Sequence, residues 1–179
     1  MTSSLNKFGI AAFVILIAAG TFYLLIRDDV PNLYINEILA SSSSCCPDSA
    51  TGHEEFDDWI EIYNGDQVPL DIGGLYFSQN KKKPLGYQIP TTNPELTTIQ
   101  PGGFLVLWAD GSPEQGPLHL KFKLNQEGEY IGLFNKDGRM IDELKFEKQT
   151  VNRSFGRSIN GGADSWKEFS VPTPGKSNQ

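Results

Sequence analysis

The residues with the most chemical potential lie in one polar stretch, S-S-S-S-C-C-P-D-S-A-T-G-H-E-E-F-D over residues 41–57. It offers carboxylates at Asp48, Glu54, Glu55, Asp57 and the adjoining Asp58. Hard oxygen ligands on a loop suit Ca²⁺, whose extracellular sites tolerate loose geometry. The spacing is not D-x-D-x-D-G, so the competing expectation is a solvated acidic loop that holds no cofactor. Adjacent Cys45 and Cys46 precede Pro47, and outside the cytoplasm they are candidates for a local disulfide or for pairing with another protein. With His53 they would make three soft ligands, one short of a closed zinc site.

Acid–base and nucleophilic chemistry finds little else. His53 and His119 are the two histidines. Neither stands in H-E-x-x-H, and the chain contains no G-x-S-x-G, P-loop or G-x-G-x-x-G. No catalytic residue is therefore assigned. The alternative in the enzyme class is a Ca²⁺-dependent, hydrolase-like activity built on the acidic residues of 48–58. Trp59, Trp108 and Trp166 would suit carbohydrate stacking, yet each falls in a predicted strand, where a large ring fills a core. Tyr63, Tyr76 and Tyr87 are the aromatic residues expected to make surface contacts.

These groups need a scaffold, and the chain divides into two unlike parts. Residues 8–26, FGIAAFVILIAAGTFYLLI, are nineteen residues without a charge, bracketed by Lys7 and Arg27. As a helix they would cross the roughly 30 Å hydrocarbon core of a bilayer. The expected layout is a short cytoplasmic N-terminus over 1–7, a transmembrane signal anchor over 8–26, a linker over 27–31 and an extracytoplasmic domain over 32–178. The alternative is secretion after cleavage near Gly20. Beyond Arg27 the chain carries 13 basic and 22 acidic residues, a net charge of −9. Such a surface is repelled by phosphate backbones, so no nucleic-acid partner is expected.

Within 32–178 the apolar runs are short and separated by turn residues, an all-β pattern. Gly and Pro together number 29 of 179 residues. Strands are predicted at 33–40, 58–64, 74–78, 86–89, 103–109, 119–124, 129–135, 139–146, 153–158 and 166–169. Asn135-Lys136-Asp137-Gly138 reads as a hairpin turn. In 58–64, Ile60 and Ile62 face one side and Trp59, Glu61 and Tyr63 the other, an alternation that suits an antiparallel sheet with one wet face. Segment 104–108 is apolar on both faces and is expected in the middle of a sheet. Long loops at 41–57 and 90–101 are the expected binding surface.

Seven segments in fixed order carry a family resemblance: I-N-E-I-L-A-S (35–41), D-W-I-E-I-Y-N (58–64), L-D-I-G-G-L-Y-F-S (70–78), I-Q-P-G-G-F-L-V-L-W-A (99–109), F-K-L-N-Q-E-G-E-Y-I-G-L-F (122–134), S-F-G-R (154–157) and P-T-P-G-K-S-N (172–178). Together they resemble the lamin tail domain, most closely its bacterial exported and membrane-anchored versions. The resemblance implies an immunoglobulin-like β-sandwich that serves as an interaction or structural module, with an envelope protein or a glycan as partner. The motif residues are Asn36, Glu37, Trp59, Glu61, Asn64, Gly128, Gly156, Arg157, Pro174 and Gly175. Asn36-Glu37 are expected at a strand bulge, and Arg157 is expected to pair with Glu37 or Asp142. Nuclear lamins place a coiled-coil rod before this domain. This chain has no heptad run, and Lys81-Lys82-Lys83 is a solvated turn rather than a localisation signal.

Overall fold

The computed structural model describes residues 10–17, 20–27, 30–47, 55–163 and 165–178. It divides after Val30 into two units. In the first, strands β1 (Ile10–Ile17) and β2 (Gly20–Arg27) pair antiparallel, with Ile10 opposite Arg27 and Ile17 opposite Gly20. The sequence predicts a helix over this run. A segment without polar positions carries no period that selects helix over strand, and its Ile, Val, Phe and Tyr residues suit either. Among the described residues no helix is long and apolar enough to cross a membrane.

The second unit is an immunoglobulin-like sandwich. One sheet joins β3 (Leu33–Leu39), β4 (Trp59–Asn64), β9 (Phe104–Trp108), β12 (Ser154–Arg157) and β13 (Trp166–Phe169), in the spatial order β13-β12-β3-β4-β9. The other joins β6 (Tyr76–Ser78), β7 (Tyr87–Gln88), β10 (Gly128–Phe134) and β11 (Met140–Glu147), in the order β11-β10-β6-β7. A two-residue ribbon pairs β5 (Leu70–Asp71) with β8 (Thr98–Ile99), which follows the one-turn helix α1 (Pro94–Thr97). Ile35, Ile38, Ile60, Ile62 and Leu107 from the first sheet meet Phe77, Ile131, Leu133 and Leu144 from the second in one buried core.

A bulge sets the register of β3. Its pairing with β4 shifts between Ile35 and Glu37, so Asn36 is the extra residue. Without it, Ile35 and Ile38 would face opposite ways; with it, both enter the core and Glu37 turns to the outer face. The spacing Leu33, Ile35, Ile38, Ala40 shows this directly in the sequence, as two residues, then three, then two.

Three expectations are corrected. Segment 119–124 forms no strand; it makes single bridges, His119 to Trp108 and Lys123 to Asp110. Its apolar side chains still reach the core from this irregular path, with Leu120 and Leu124 in it and Phe122 packed against it. Strand β9 lies at a sheet edge, not in the middle. Its outer edge is met by the 118–120 segment: the Leu118 carbonyl accepts from Trp108 N at 2.8 Å, and Leu120 N donates to the Trp108 carbonyl at 2.7 Å. Finally, the outer face of β4 is not wet, since Trp59 and Glu61 are both fully buried.

Candidate functional site

Glu37 and Glu61 are cross-strand neighbours on the outer face of the five-stranded sheet, and both are 0% exposed. Two buried carboxylates need donors, and the C-terminal segment supplies most of them. Thr173 donates to Glu37 twice, from its backbone N–H to Oε1 at 3.1 Å and from its hydroxyl to Oε2 at 2.8 Å. The Ser154 hydroxyl also donates to Glu37 Oε1. Gly175 N–H donates to Glu61 Oε2 at 2.7 Å, and the Asn36 carboxamide donates to Glu61 Oε1 at 3.1 Å. Burial raises the pKa of Glu37, and it pushes Glu61 up to about 8, helped by the nearby Glu37 charge.

The same segment is pinned further along. Asn178 Nδ2 donates to the Asn36 carbonyl at 3.2 Å and to the Arg157 carbonyl at 2.7 Å. This approach passes over Gly156, opposite Glu37, where a Cβ would lie 2.8 Å from Asn178 Nδ2 and 3.0 Å from the Asn36 carbonyl oxygen. Only glycine leaves that path open. Gly175 takes a φ of +75°, the left-handed turn that aims its N–H at Glu61.

Arg157 reaches from β12 to the other sheet. Its Nη2 donates to Asp142 Oδ1 and Oδ2 at 3.1 and 2.9 Å, and its Nε donates to the Ile35 carbonyl at 2.9 Å. Asp142 Oδ2 in turn accepts from Ile35 N at 2.8 Å. The guanidinium lies 4.5 Å from the Trp166 ring centroid, and Trp166 stacks on Phe155. Of the two partners expected for this arginine, the structure chooses Asp142. Burial raises the pKa of Asp142, and the Arg157 charge opposes that shift.

The other motif residues also act within the fold. Asn64 Nδ2 donates to the Val68 and Ile99 carbonyls, closing the turn after β4. Gly128 has a φ of +100°, and a Cβ there would meet the Phe146 carbonyl oxygen at 2.6 Å. Trp59 is opposite Trp108, while Trp166 lies under Arg157, so the three tryptophans do not form one stacking platform.

Asp48, His53 and Glu54 lie outside the described residues. Asp58 faces inward: its Oδ1 accepts from Ser42 N at 3.1 Å and its carbonyl from Ala109 N at 2.7 Å. Glu55 makes an isolated bridge position and Asp57 follows it in the same short stretch. Among the described residues no three His, Cys, Asp or Glu groups converge on a metal position. Cys45 and Cys46 are joined as a disulfide. The loop that carries them is fastened by Asn152, whose Oδ1 accepts from Ser43 N and Ser44 N at 2.9 and 3.1 Å.

With strand order, bulge and outer-face network in place, the sequence comparison is decisive. Residues 26–148 match the family model for the Lamin Tail Domain. The chain belongs to the lamin tail domain family. No curated protein and no solved structure gives a significant match. In this lamin tail domain the matched range stops short of β12, β13 and the C-terminal segment, yet Glu37 and Glu61, inside it, are hydrogen-bonded to residues outside it.

One buried pair of this lamin tail domain escaped the sequence reading. His119 Nδ1 lies 2.8 Å from Asp110 Oδ2, with the histidine 3% exposed. Asp110 Oδ1 accepts from Ser112 N, and the His119 carbonyl accepts from the Tyr87 hydroxyl. The available signal was weak: two polar residues nine apart, flanking a loop.

Proposed function

We propose that this lamin tail domain is a non-catalytic interaction module, attached to a membrane through residues 8–26 and displayed on the extracytoplasmic side. The observation that carries the reading is the engagement of Glu37, Glu61 and Arg157. These buried charged groups would be the natural agents of catalysis. Each is instead bound to backbone and side chains of the fold itself, tying the C-terminal segment and the two sheets together. Membrane attachment is supported by the uncharged run of nineteen residues between Lys7 and Arg27. The partner, an envelope protein or a glycan, is taken to meet the connections at 41–57 and 90–101, the second of which carries α1 and β8. Both connect strands of a rigid sandwich, the usual place for recognition.

Two measurements test this. Intact mass of the membrane-extracted protein should retain residues 1–27; a soluble species beginning near Thr21 overturns the anchor. Cross-linking in the native membrane should recover a discrete partner from the full chain and less of it when loop 41–57 is shortened. Unchanged recovery rejects that loop's role, and hydrolysis of a glycan or ester by the purified chain rejects the non-catalytic reading.

A further inference from the structure

Away from those loops, an open groove of about 440 Å³ runs beside β7, the outer strand of the four-stranded sheet. Its exposed apolar surface comes from Leu85, Tyr87 and Phe122, with Phe77 buried beneath, and Lys83 and Lys121 also line it. Leu85 is 53% exposed, a large apolar side chain held out at the rim. Gly86 fixes that geometry. A Cβ there would sit 2.5 Å from the Phe77 carbonyl oxygen, so the backbone next to Leu85 lies directly against β6.

We propose that this groove docks an acidic, apolar-rich polypeptide segment of the partner. The inference rests on the reading of the domain as an interaction module and adds the place and the chemistry. Charge complementarity argues for the occupant. In a domain that carries 13 basic and 20 acidic residues over 32–178, Lys83 and Lys121 are both exposed, and among the described residues neither makes an ion pair. Lys81, nearby, is already paired with Glu143 at 2.8 Å. Carboxylates seated between the two unpaired ammonium groups would gain what the rest of the surface denies them.

The polar groups at the groove separate a peptide from a glycan. The Ser78 hydroxyl donates to the Lys83 carbonyl at 2.7 Å and accepts from Asn80 N at 3.1 Å. The Gln79 carboxamide donates to the Lys123 carbonyl and to Glu129 at 3.0 and 2.7 Å. The Asn80 side-chain oxygen accepts from Lys82 N at 2.9 Å. Apart from Gln79 Oε1 and Asn80 Nδ2, these side-chain atoms are engaged within the fold, and an ammonium only donates. Sugar hydroxyls would find few acceptors here, whereas apolar side chains flanked by carboxylates match both the floor and the rim. An open groove also suits a chain passing through it better than an engulfed small molecule.

The test uses the full chain in detergent micelles and a fluorescein-labelled peptide of alternating Glu with Leu and Phe, read by anisotropy. Saturable binding is expected. It should weaken at least ~10-fold with Gln in place of Glu in the peptide, and similarly in the Lys83→Glu, Lys121→Glu double variant. Both lysines are exposed, so the variant should unfold at the wild-type midpoint. The milder Lys83→Gln, Lys121→Gln pair replaces it if that midpoint moves. The proposal is overturned if the peptide fails to saturate, if the charge variants bind it equally, or if an acidic oligosaccharide displaces it from the groove. Partner recovery through loop 41–57 is a separate readout, so the module can stand when the groove fails.

Discussion

The backbone N–H of Gly175 donates to Glu61 Oε2 at 2.7 Å, joining a strand residue to one 114 positions later. Through this bond and those of Thr173 to Glu37, a terminal segment roofs two buried carboxyl groups that have no cation at hydrogen-bond distance among the described residues. That arrangement makes the last residues part of the sandwich.

Removing residues 172–179 should therefore be costly. Glu37 loses its Thr173 donors and Glu61 its Gly175 donor, and the cover over both carboxyl groups goes with them. A loss of about 2–4 kcal/mol, roughly 1 kcal/mol per lost hydrogen bond, is expected in urea titration of the truncated chain. A loss below ~0.5 kcal/mol would show that the segment only rests on the surface.

The pH dependence has a definite sign. Glu61 is raised from its ordinary 4.5 to about 8 in the fold. Between these values the unfolded chain has released the proton that the folded chain keeps, so stability falls as pH rises through that window. It is fully present below about 4.5 and levels off above about 8. The raised values of Glu37, Asp58 and Asp142 act in the same direction. The unfolding midpoint should be at least ~5 °C higher at about pH 5 than at about pH 8.5. Glu61→Gln should flatten much of that slope, and a steeper slope in the variant would contradict the assignment.

Gly156→Ala should displace the Asn178 carboxamide from its two carbonyl acceptors, because the new Cβ falls 2.8 Å from Nδ2. The expected cost is about 1–3 kcal/mol. Limited proteolysis should then cut the C-terminal segment sooner than in wild type, while β3 and β4 stay protected. Equal protection of the segment would argue that it adjusts freely.

Arg157→Lys keeps the charge but not the function of the side chain. A lysine cannot at once hold Asp142 through two contacts, donate to the Ile35 carbonyl and lie flat on Trp166. Destabilisation by about 2–4 kcal/mol is expected, with Trp166 fluorescence shifted toward that of a more exposed ring. If the Arg157→Lys variant kept wild-type stability, the pairing of the sheets through Arg157 and Asp142 would be of little consequence.

The local pattern of residues determined much of this molecule. Alternation in 58–64 placed Ile60 and Ile62 in the core, and Asn135-Lys136-Asp137-Gly138 joined β10 to β11. The two-three-two spacing of Leu33, Ile35, Ile38 and Ala40 dictated the bulge at Asn36. Periodicity and turn chemistry act between near neighbours, so one chain is enough to read them. Tertiary structure alone decided what covers each face and edge. Glu61 looked solvated because alternation shows which side of a strand is polar, not that a segment 114 residues away will cover it. Likewise β9 looked central from its apolar residues, yet the 118–120 segment, rather than another strand, takes up its outer edge. Arg157 had two plausible carboxylates in sequence, and the approach of β11 to β3 selected Asp142. Those choices depend on contacts closed across the whole domain, and no local window contains them.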